Sequence, residues 1–584
     1  MKKLFFLFGA LLTMLTLTCC QGKPELKTFE KEVNLISLRD YSSGSNDVIK
    51  YNSYKDYKMK LKFIEGEDYI PYVDIASYSQ LFGEDIYNGT SLLDNQHSIE
   101  LIYEYKKKSV NFNFDLNKSI ITIKGRMDEI FASNEGDGVS SSSLDRTFKE
   151  ELVSGEKLYT INYAGYGFNV FRKDNKTYFP FSMLDSVLQP SHATVNFYNY
   201  KSILSFSDYK ALSFQKYEND KSEVTTAYQE MKTLTTDTMP EYLINYNKNY
   251  LYFMFDNFYG LKVQKGINVN MSSYFETLTY SALLNSSSAK DRANGLSCLI
   301  SGLEDSHTVL IKEGTAWGEI SDMELPQTMT QDRELLQSSF TKERSSVYKS
   351  LGISQNGVRY STDGKTAMIT LDAFDDTTEF VDDDGNRLKD EEIALKDSYF
   401  KIKCNLLDID KKGGVENVII DMSVNAGGDA EIMAKLIALL SKDNYGYSYF
   451  YDNLAGTIYK DTYRVDTNKD GKYDEKDSFG NKFKFYLLTS PVAFSCGTAY
   501  PFLCQAQNVA KIMGAKSGGG ECVVRTIVLP NGQVLAHSSY LHIVKPVGNN
   551  YIGDEGAFEV DIDVDYFDFY KLDLLSKKIA EDKE

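Results

Sequence analysis

Apolar and polar residues alternate through the first third of the chain, which is the pattern of β-strands with one buried face. The run ELIYEYKKKSVNFNFDLNKSIITIKG, residues 100–125, shows this alternation with turn residues between its stretches. Residues 69–83 and 178–191 resemble each other, because each opens with aromatic-x-Pro-aromatic and continues with apolar positions at helical spacing. The pattern predicts two small, strand-rich α+β modules within residues 25–215.

The spacing of apolar residues changes to three and four over residues 220–315, which predicts a helical region. Further along, strand-like runs alternate with helix-like runs. Residues 417–424 and 483–490 are rich in apolar residues and resemble strands, and residues 430–441 have the apolar face of a helix. Alternation of this kind predicts an α/β domain over residues 316–584.

The N-terminus has the pattern of a targeting segment. Lys2 and Lys3 precede the apolar run LFFLFGALLTMLTLT, which is too short to span a bilayer comfortably and predicts a signal peptide over residues 1–20. Because the run ends at Cys19 and Cys20, it resembles a bacterial lipoprotein signal, with one of these cysteines lipidated. We expect an exported protein held on the outer face of a membrane by an N-terminal lipid anchor. Plain secretion, with both cysteines removed, is the alternative.

Composition narrows the classes of function. The formal net charge of −19 argues against nucleic acid as a partner, because no basic cluster is present to neutralise phosphate. With 584 residues the chain is long enough for two or three domains. Beyond the signal, the cysteines form no CxxC pair and are an odd number, which argues against a disulfide framework or a zinc site. They are Cys298, Cys404, Cys496, Cys504 and Cys522, and one bridge among the last three stays open.

Two junctions between a strand and a helix carry residues with chemical potential. Gly427 and Gly428 follow the strand at 417–424, where glycines let the backbone turn tightly and expose N–H groups to an anion. Ser495 and Cys496 lie before a second helix, whose N-terminus favours developing negative charge. Either side chain is a nucleophile by type. A simple turn and a helix cap are the ordinary alternatives.

Four motifs in order resemble the tail-specific, or C-terminal-processing, serine peptidase family, including its tricorn-like branch. They are VIIDMSVNAGGDAEI at 418–432, TSPVAFSCGTAYPFLCQAQ at 489–507, AKIMGAKSGGG at 510–520 and EGAFEVDIDV at 555–564. The resemblance covers roughly residues 225–570. It implies a crotonase-like α/β core of repeated strand-strand-helix units. It also implies hydrolysis of peptide bonds in peptide or protein substrates through an acyl-enzyme on serine, with no cofactor for catalysis.

The resemblance also implies roles for the junction residues. Ser495 matches the nucleophile of the family, and Cys496 is its neighbour. The backbone N–H of Cys496, with that of Gly427 or Gly428, would form the oxyanion hole.

The base is expected to be a histidine. Many family members use a lysine after the serine, but the matching position here is Gly520. The tricorn-like branch instead uses a histidine preceded by serine and supplied from far upstream, which here matches Ser306 and His307 after the helical region. Ser306 would assist by hydrogen bonding. An acid near the closing motif would orient the base, at Glu555 or Asp554. We see no peptide-binding PDZ domain between the helical region and the core.

The segment DTNKDGKYDEKD, residues 466–477, has the spacing of a twelve-residue calcium loop. Gly471 supplies the sharp turn, and the loop would be an insertion in the core with a structural ion. A solvated acidic turn is the alternative. The expected ligands are Asp466, Asn468, Asp470, the carbonyl of Lys472, Asp474 and Asp477.

Two functions are therefore in contention. The first is an exported serine peptidase. The second is a catalytically silent surface lipoprotein that binds peptide or glycan through its N-terminal modules and keeps the peptidase fold as a scaffold. Absence of the lysine at position 520 favours the second, and the Ser306–His307 pair favours the first.

Overall fold

The computed structural model of the chain is a mixed α/β structure with several sheets. It describes residues 26–37, 57–81, 89–105, 108–125, 138–139, 145–153, 155, 157–188, 195–198, 202–206, 238–311, 331–354, 356–377, 380–382, 385–555 and 558–582. The predicted signal peptide, with Cys19 and Cys20, lies outside these residues. Within them, no helix has the length and apolar character that crossing a bilayer requires.

The two stretches that resemble each other in sequence lie side by side in one seven-stranded sheet. Each runs from a strand into a short helix, and the strands pair antiparallel, with Phe179 opposite Val73. The predicted modules therefore share a sheet. Its elements are β11 (Phe171–Lys173), β12 (Lys176–Pro180), β3 (Tyr72–Asp74), β2 (Tyr57–Ile64), β1 (Thr28–Ser37), β14 (Ser202–Phe206) and β13 (Val195–Tyr198), with α1 (Ile75–Ser79) and α2 (Phe181–Leu188).

A five-stranded antiparallel sheet holds the alternating run seen in the sequence. Val110, Phe112 and Phe114 on one of its strands are buried, while their neighbours are not, as a period of two requires. The strands, in spatial order, are β10 (Tyr159–Asn162), β7 (Ile120–Lys124), β6 (Lys108–Asp115), β5 (Ser98–Tyr105) and β4 (Thr90–Asp94).

The helical region packs against the N-terminal sheet. It consists of α3 (Glu241–Phe258), α4 (Met271–Glu276) and α5 (Ala289–Ser301). Two buried tyrosines of α3 bond to α2, because the hydroxyl of Tyr246 lies 2.7 Å from Ser182 Oγ and that of Tyr250 lies 2.6 Å from Ser186 Oγ. The side chain of Ser288 caps α5. The chain leaves α5 in a short turn that carries Ser306 and His307.

A six-stranded sheet forms the centre of the C-terminal half. Its inner strands are parallel and buried on both faces, as strands covered by helices are. The strands are β16 (Arg359–Tyr360), β17 (Thr366–Thr370), β18 (Asn417–Asp421), β21 (Lys484–Thr489), β22 (Ala510–Gly514) and β26 (Ile562–Asp563). The helices are α6 (Gln331–Leu351), α7 (Asp390–Ile393), α8 (Ser398–Lys412), α9 (Ala430–Leu440), α10 (Cys496–Ala506) and α11 (Leu572–Glu581).

An eight-stranded sheet links distant parts of the chain. Its strands are β15 (Val309–Ile311), β24 (Val534–Val547), β19 (Gly446–Asp452), β20 (Thr457–Val465), β9 (Asp145–Val153) and β8 (Gly138–Val139), with β23 (Cys522–Val528) and β25 (Asn550–Gly553) on β24. The pairing of β9 with β20 draws N-terminal sequence onto the C-terminal half. The pairing of β15 with β24 likewise brings the turn after α5 against the C-terminal half.

Candidate active site

The two strand-to-helix junctions predicted from the sequence meet at one edge of the six-stranded sheet. They follow β18 and β21, which are adjacent and parallel, so their carboxyl ends lie together. The N–H of Phe494 donates to the carbonyl of Asn425 at 3.0 Å. A Cβ placed on Gly427 would lie 2.8 Å from the Cβ of Ser495. The glycine turn and the serine are therefore in direct contact.

Ser495 has an unusual backbone conformation. Its φ of 58° and ψ of −128° lie in a region that non-glycine residues seldom adopt, and such strain is concentrated at functional sites. Its N–H donates to the carbonyl of Gly519 at 3.0 Å, and α10 begins at the next residue. The sharp turn puts the hydroxyl at the positive end of a helix.

Two backbone N–H groups beside Ser495 have no acceptor among the described residues, namely those of Gly428 and Cys496. The N–H of Gly427 is occupied, because it donates to the side-chain carbonyl of Asn425 at 2.8 Å. Of the two glycines proposed for the oxyanion hole, only Gly428 has a free donor. A side chain at Gly428 would also collide with the backbone of Phe374, at 2.4 Å.

Asn425 organises this turn and was not singled out by the sequence. Its buried side chain accepts from Gly427 and donates from Nδ2 to the carbonyl of Leu371 at 2.9 Å. Its own carbonyl accepts from Phe494. One asparagine thereby fixes the glycine turn, a neighbouring strand and the serine loop.

His307 is held rigidly beside this site. Its backbone N–H donates to Asp305 Oδ1 at 3.0 Å, and Asp305 also accepts from Ser538 on β24 at 3.1 Å. The imidazole is 8% exposed, and neither ring nitrogen has a hydrogen-bond partner. Burial lowers the pKa of His307 to about 4, although the charge of Asp305 opposes the shift. The ring is therefore neutral at pH 7 and able to accept a proton.

Phe494 links His307 to the serine loop. The centroid of its ring lies 4.7 Å from that of His307. Phe494 also directly precedes Ser495 in the chain. The guanidinium of Arg333 on α6 lies 5.1 Å from the same ring, within the range of cation–π contact. One guanidinium nitrogen of Arg333 is 3.5 Å from Ser306 Oγ. No pattern in the sequence distinguishes Arg333 from other polar positions of its helix.

Glu555 is linked to the Ser495 region through Gly520, on which a Cβ would lie 2.9 Å from Ser495 N. Its Oε2 accepts from the N–H of Gly520 at 3.0 Å and from that of Glu521 at 3.1 Å. Burial raises the pKa of Glu555 above its ordinary value. Its carboxylate makes no hydrogen bond to the ring of His307. The other acid considered, Asp554, is 1% exposed, and neither carboxylate oxygen has a hydrogen-bond partner.

The lysine-dyad alternative has no support in the geometry. Lys516 is about half exposed, and its amine pairs with Glu559 on the surface. The dyad position itself is closed, because a Cβ on Gly520 would lie 2.9 Å from the backbone nitrogen of Ser495. The φ of 98° at Gly520 is also unfavourable for any other residue.

The five cysteines that the structure describes are free thiols, so the one bridge left open among Cys496, Cys504 and Cys522 is not formed. The thiol of Cys496 donates to the carbonyl of Gly428 at 3.2 Å. Burial raises the pKa of Cys496 to about 12, which leaves its thiol protonated at neutral pH.

The predicted calcium loop is compact. Asp466 accepts from Asp470 N at 3.1 Å and from Gly471 N at 2.9 Å. Asp477 is fully buried and accepts from Asn468 N and from Asp474 N, both at 3.1 Å. Gly471 has a φ of 78°. The first and last acids of the loop therefore both turn inward.

Comparison with known proteins finds a family match in the C-terminal half of the chain. Residues 365–564 match the profile described as Peptidase family S41. The match includes the Gly427–Gly428 turn, Ser495 and Glu555, and begins after His307. No curated protein is similar enough to the chain to count as a match.

Three solved structures match the chain at low identity and low TM-score. A putative peptidase from Parabacteroides merdae is 14% identical over 57% of this chain and 95% of its own, with a TM-score of 0.38. A lipoprotein from Streptococcus agalactiae is 13% identical over 59% and 98%, with a TM-score of 0.34. The tricorn protease is 10% identical over 91% of this chain and 51% of its own, with a TM-score of 0.29. Scores this low do not establish a shared overall arrangement.

Proposed function

We propose that the chain, whose residues 365–564 match Peptidase family S41, is an exported serine-type peptidase that cleaves peptide bonds through an acyl-enzyme on Ser495. The observation that carries this proposal is the strained Ser495 beside two unpaired N–H groups. Such donors act on negative charge as it develops, and stabilise it without reorganising. Peptides or proteins are the substrates, and the reaction needs no cofactor.

In the first half-reaction, the hydroxyl oxygen of Ser495 attacks the carbonyl carbon of the scissile bond and gives its proton to a ring nitrogen of His307. The carbonyl oxygen becomes an oxyanion held by the N–H groups of Gly428 and Cys496. The carbon–nitrogen bond then breaks, the departing amine takes the proton from His307, and an ester on Ser495 remains. In the second half-reaction, water attacks that ester with His307 again accepting the proton.

In this proposal Glu555 would orient the imidazole of His307, and Ser306 would support the turn that carries it. Glu555 accepts from Gly520, which is close to Ser495, but makes no hydrogen bond to the imidazole, so the proposal requires the acid and the base to approach each other when substrate binds. Catalytic hydrogen bonds commonly tighten only once substrate is bound. Ser306, near Arg333, would hold the turn that carries the base.

The test is covalent labelling with a fluorophosphonate, which reacts only with an activated serine. We expect one adduct per chain, mapped by mass spectrometry to Ser495 and absent from Ser495→Ala. Ser517, in the neighbouring loop, serves as the matched control, and Ser517→Ala should label like the parent. An adduct elsewhere, or peptidase activity that survives in Ser495→Ala, would refute the assignment.

We further propose that the core is crotonase-like and that the chain is a bacterial lipoprotein anchored through Cys19 or Cys20. The parallel order β17–β18–β21–β22 with helices after β18 and β21 supports the first part. The apolar N-terminal run supports the second. Metabolic labelling with a fatty acid tests the anchor, because a variant lacking both cysteines should lose the label and leave the membrane fraction.

A structural calcium ion at residues 466–477 is part of the same proposal. The inward-facing acids Asp466 and Asp477 support it, because carboxylate and carbonyl oxygens are the ligands that calcium takes.

A second function is favoured by a separate cavity. The cavity has a volume of about 490 Å³ and lies between the N-terminal part and the helical region. Amide and phenol groups of Asn162, Tyr166, Asn249 and Asn270 line it, and these match the hydroxyls of a sugar. A catalytically silent glycan-binding lipoprotein would bind oligosaccharides there and give no fluorophosphonate adduct, which distinguishes it from the peptidase.

A further inference from the structure

A second cluster of reactive side chains lies next to Glu555, to which it is hydrogen-bonded through Glu521. It consists of Glu521, Cys522 and His542, all buried, with one ligand atom of each within 4.8 Å of the others. Cys522 begins β23 and is the register partner of His542 on β24. Opposed residues of an antiparallel pair project their side chains to the same face, so the two strands bring thiol and imidazole together.

The three groups are the ligand types that zinc prefers. The Nδ1 of His542 lies 2.6 Å from Glu521 Oε1 and 3.6 Å from Cys522 Sγ. Ligands about 2.0–2.3 Å from a tetrahedral zinc ion stand roughly 3.3–3.8 Å apart. The thiol and imidazole already have that separation, and the carboxylate oxygen of Glu521 has to move away from the imidazole of His542 by about 1 Å.

The groups that would fix such ligands are also present. Glu521 accepts from Gln264 Nε2 at 3.1 Å and from Glu555 N at 3.0 Å. The Nε2 of His542 lies 2.9 Å from the amide of Asn453. If the side-chain amide of Asn453 is turned by about 180°, its oxygen accepts from the Nε2–H of His542. The Nδ1 of His542 is then free to bind a metal. Partners of this kind orient metal ligands in general.

A nearby carboxyl group is a second, independent observation. Asp554 is 1% exposed, and both of its oxygens lack a hydrogen-bond partner. Burial raises the pKa of Asp554 well above its ordinary value, and the charges of Glu521 and Glu555 raise it further. The buried carboxyl is therefore left unsatisfied, and a cation beside it would offset the cost of ionising it.

We propose that Glu521, Cys522 and His542 bind one zinc ion. On binding, the thiol of Cys522 gives its proton to solvent and forms a sulfur–metal bond as the thiolate, and His542 binds through an unprotonated Nδ1. The carboxylate of Glu521 already carries its charge. No oxidation or bond cleavage is involved.

The site is joined to the candidate catalytic acid by two reciprocal hydrogen bonds. Glu521 N donates to Glu555 Oε2 at 3.1 Å, and Glu555 N donates to Glu521 Oε2 at 3.0 Å. Movement of Glu521 onto an ion therefore acts on Glu555. We expect zinc to lower peptidase activity, a consequence that rests on the proposed function, whereas binding itself does not.

The test uses cobalt as a spectroscopic probe of the full chain after treatment with a chelator. We expect one Co²⁺ per chain, a near-ultraviolet band from thiolate-to-cobalt charge transfer, visible bands of a tetrahedral ion, and displacement of cobalt by Zn²⁺. Cys522→Ala should lose the charge-transfer band, and His542→Gln should bind at least tenfold more weakly. The controls Cys504→Ala and His537→Gln change a buried cysteine and a buried histidine outside the cluster and should keep both bands.

Melting provides a second measurement for variants that fold poorly. Zinc should raise the Tm of the parent and of the two controls, because it binds the folded state, and should leave that of Cys522→Ala unchanged. Absence of bound cobalt in the parent, or a charge-transfer band that survives in Cys522→Ala, would overturn the proposal. If Ser495→Ala binds cobalt normally while the parent shows no peptidase activity, the metal site stands and the proposed function fails.

Discussion

The ring of His307 lies against the ring of Phe494, with 4.7 Å between their centroids, and Phe494 directly precedes Ser495 in the chain. This contact joins two segments that are almost two hundred residues apart in sequence. The base is thereby held at the serine loop by packing rather than by a hydrogen bond, since neither ring nitrogen of His307 has a partner.

The first prediction concerns the general base. His307→Ala should lower kcat/KM by about 10² to 10⁴, because removal of a general base commonly costs that much. Lys516→Ala should change it by less than about twofold, since an exposed ion pair contributes little. Steady-state kinetics on a fluorogenic peptide measure both. The opposite ranking, with Lys516 essential and His307 dispensable, would mean a displaced lysine dyad.

The second prediction concerns the pH dependence of activity. Burial lowers the pKa of His307 to about 4, against 6.5 for an exposed histidine, so the base stays neutral at pH 5. The charge of Asp305, on the same turn, opposes this shift, and Arg333 from α6 lies against the neighbouring ring of Phe494. We expect the acidic limb of kcat/KM to have its midpoint below 6.5. A midpoint at 6.5 or above, with the folded state intact, would show that the imidazole is not desolvated during turnover.

The free energy of unfolding should also depend on pH, through the buried histidines. His307 and His537 are both buried, and burial lowers the pKa of each to about 4. Below pH 6.5 the unfolded chain protonates these rings while the folded chain does not, so the stability they contribute at higher pH is lost as pH falls from about 6.5 towards 4. Denaturant titrations across this window should show His537→Gln losing less stability than the parent. A parallel pH dependence in the two proteins would contradict it.

The third prediction separates the two adjacent nucleophiles. Burial raises the pKa of the Cys496 thiol to about 12, so almost no thiolate exists at neutral pH, and the thiolate is the reactive form. Cys496→Ala should keep activity within about tenfold, because its backbone N–H remains for the oxyanion. Ser495→Cys should lose most activity. Inactivation of the native enzyme by iodoacetamide, tracked to Cys496, would reverse the assignment.

Much of the catalytic half can be predicted from local pattern. The apolar runs before the Gly427–Gly428 turn and before Ser495 have the character of buried parallel strands, and the ends of adjacent parallel strands meet at one edge. Their contact therefore follows from the motif order. The free donor at Gly428 does not, because it depends on the side chain of Asn425 occupying Gly427.

The pairings between strands that are distant in the chain could not be predicted from the sequence. His307 is close to the serine loop because β15 pairs with β24, more than two hundred residues later. The two N-terminal stretches share a sheet because Phe179 pairs with Val73. Arg333 enters the site from the side of a helix whose polar residues look alike in sequence. No short-range periodicity encodes these contacts.

The fourth prediction concerns calcium. Residues 466–477 should bind one ion, since Asp466 and Asp477 face into a turn around Gly471 and would take a divalent cation in place of backbone N–H groups. Burial raises the pKa of Asp477 above its ordinary value, and the charges of Asp466 and Asp474 raise it further, so a cation would relieve repulsion among the acids. Calcium at 100 times its Kd should stabilise the folded chain by about 2.7 kcal/mol.

Differential scanning fluorimetry with millimolar calcium, and with chelator, measures this stabilisation. The parent should melt at higher temperature with calcium, and Asp466→Ala should not respond. Asp408→Ala removes an exposed acid on α8 outside the loop and should respond like the parent, which controls for the loss of one negative charge. If the parent fails to respond, or if Asp466→Ala responds as strongly as the parent, the loop is a hydrogen-bonded acidic turn, in which backbone N–H groups rather than an ion satisfy the carboxylates.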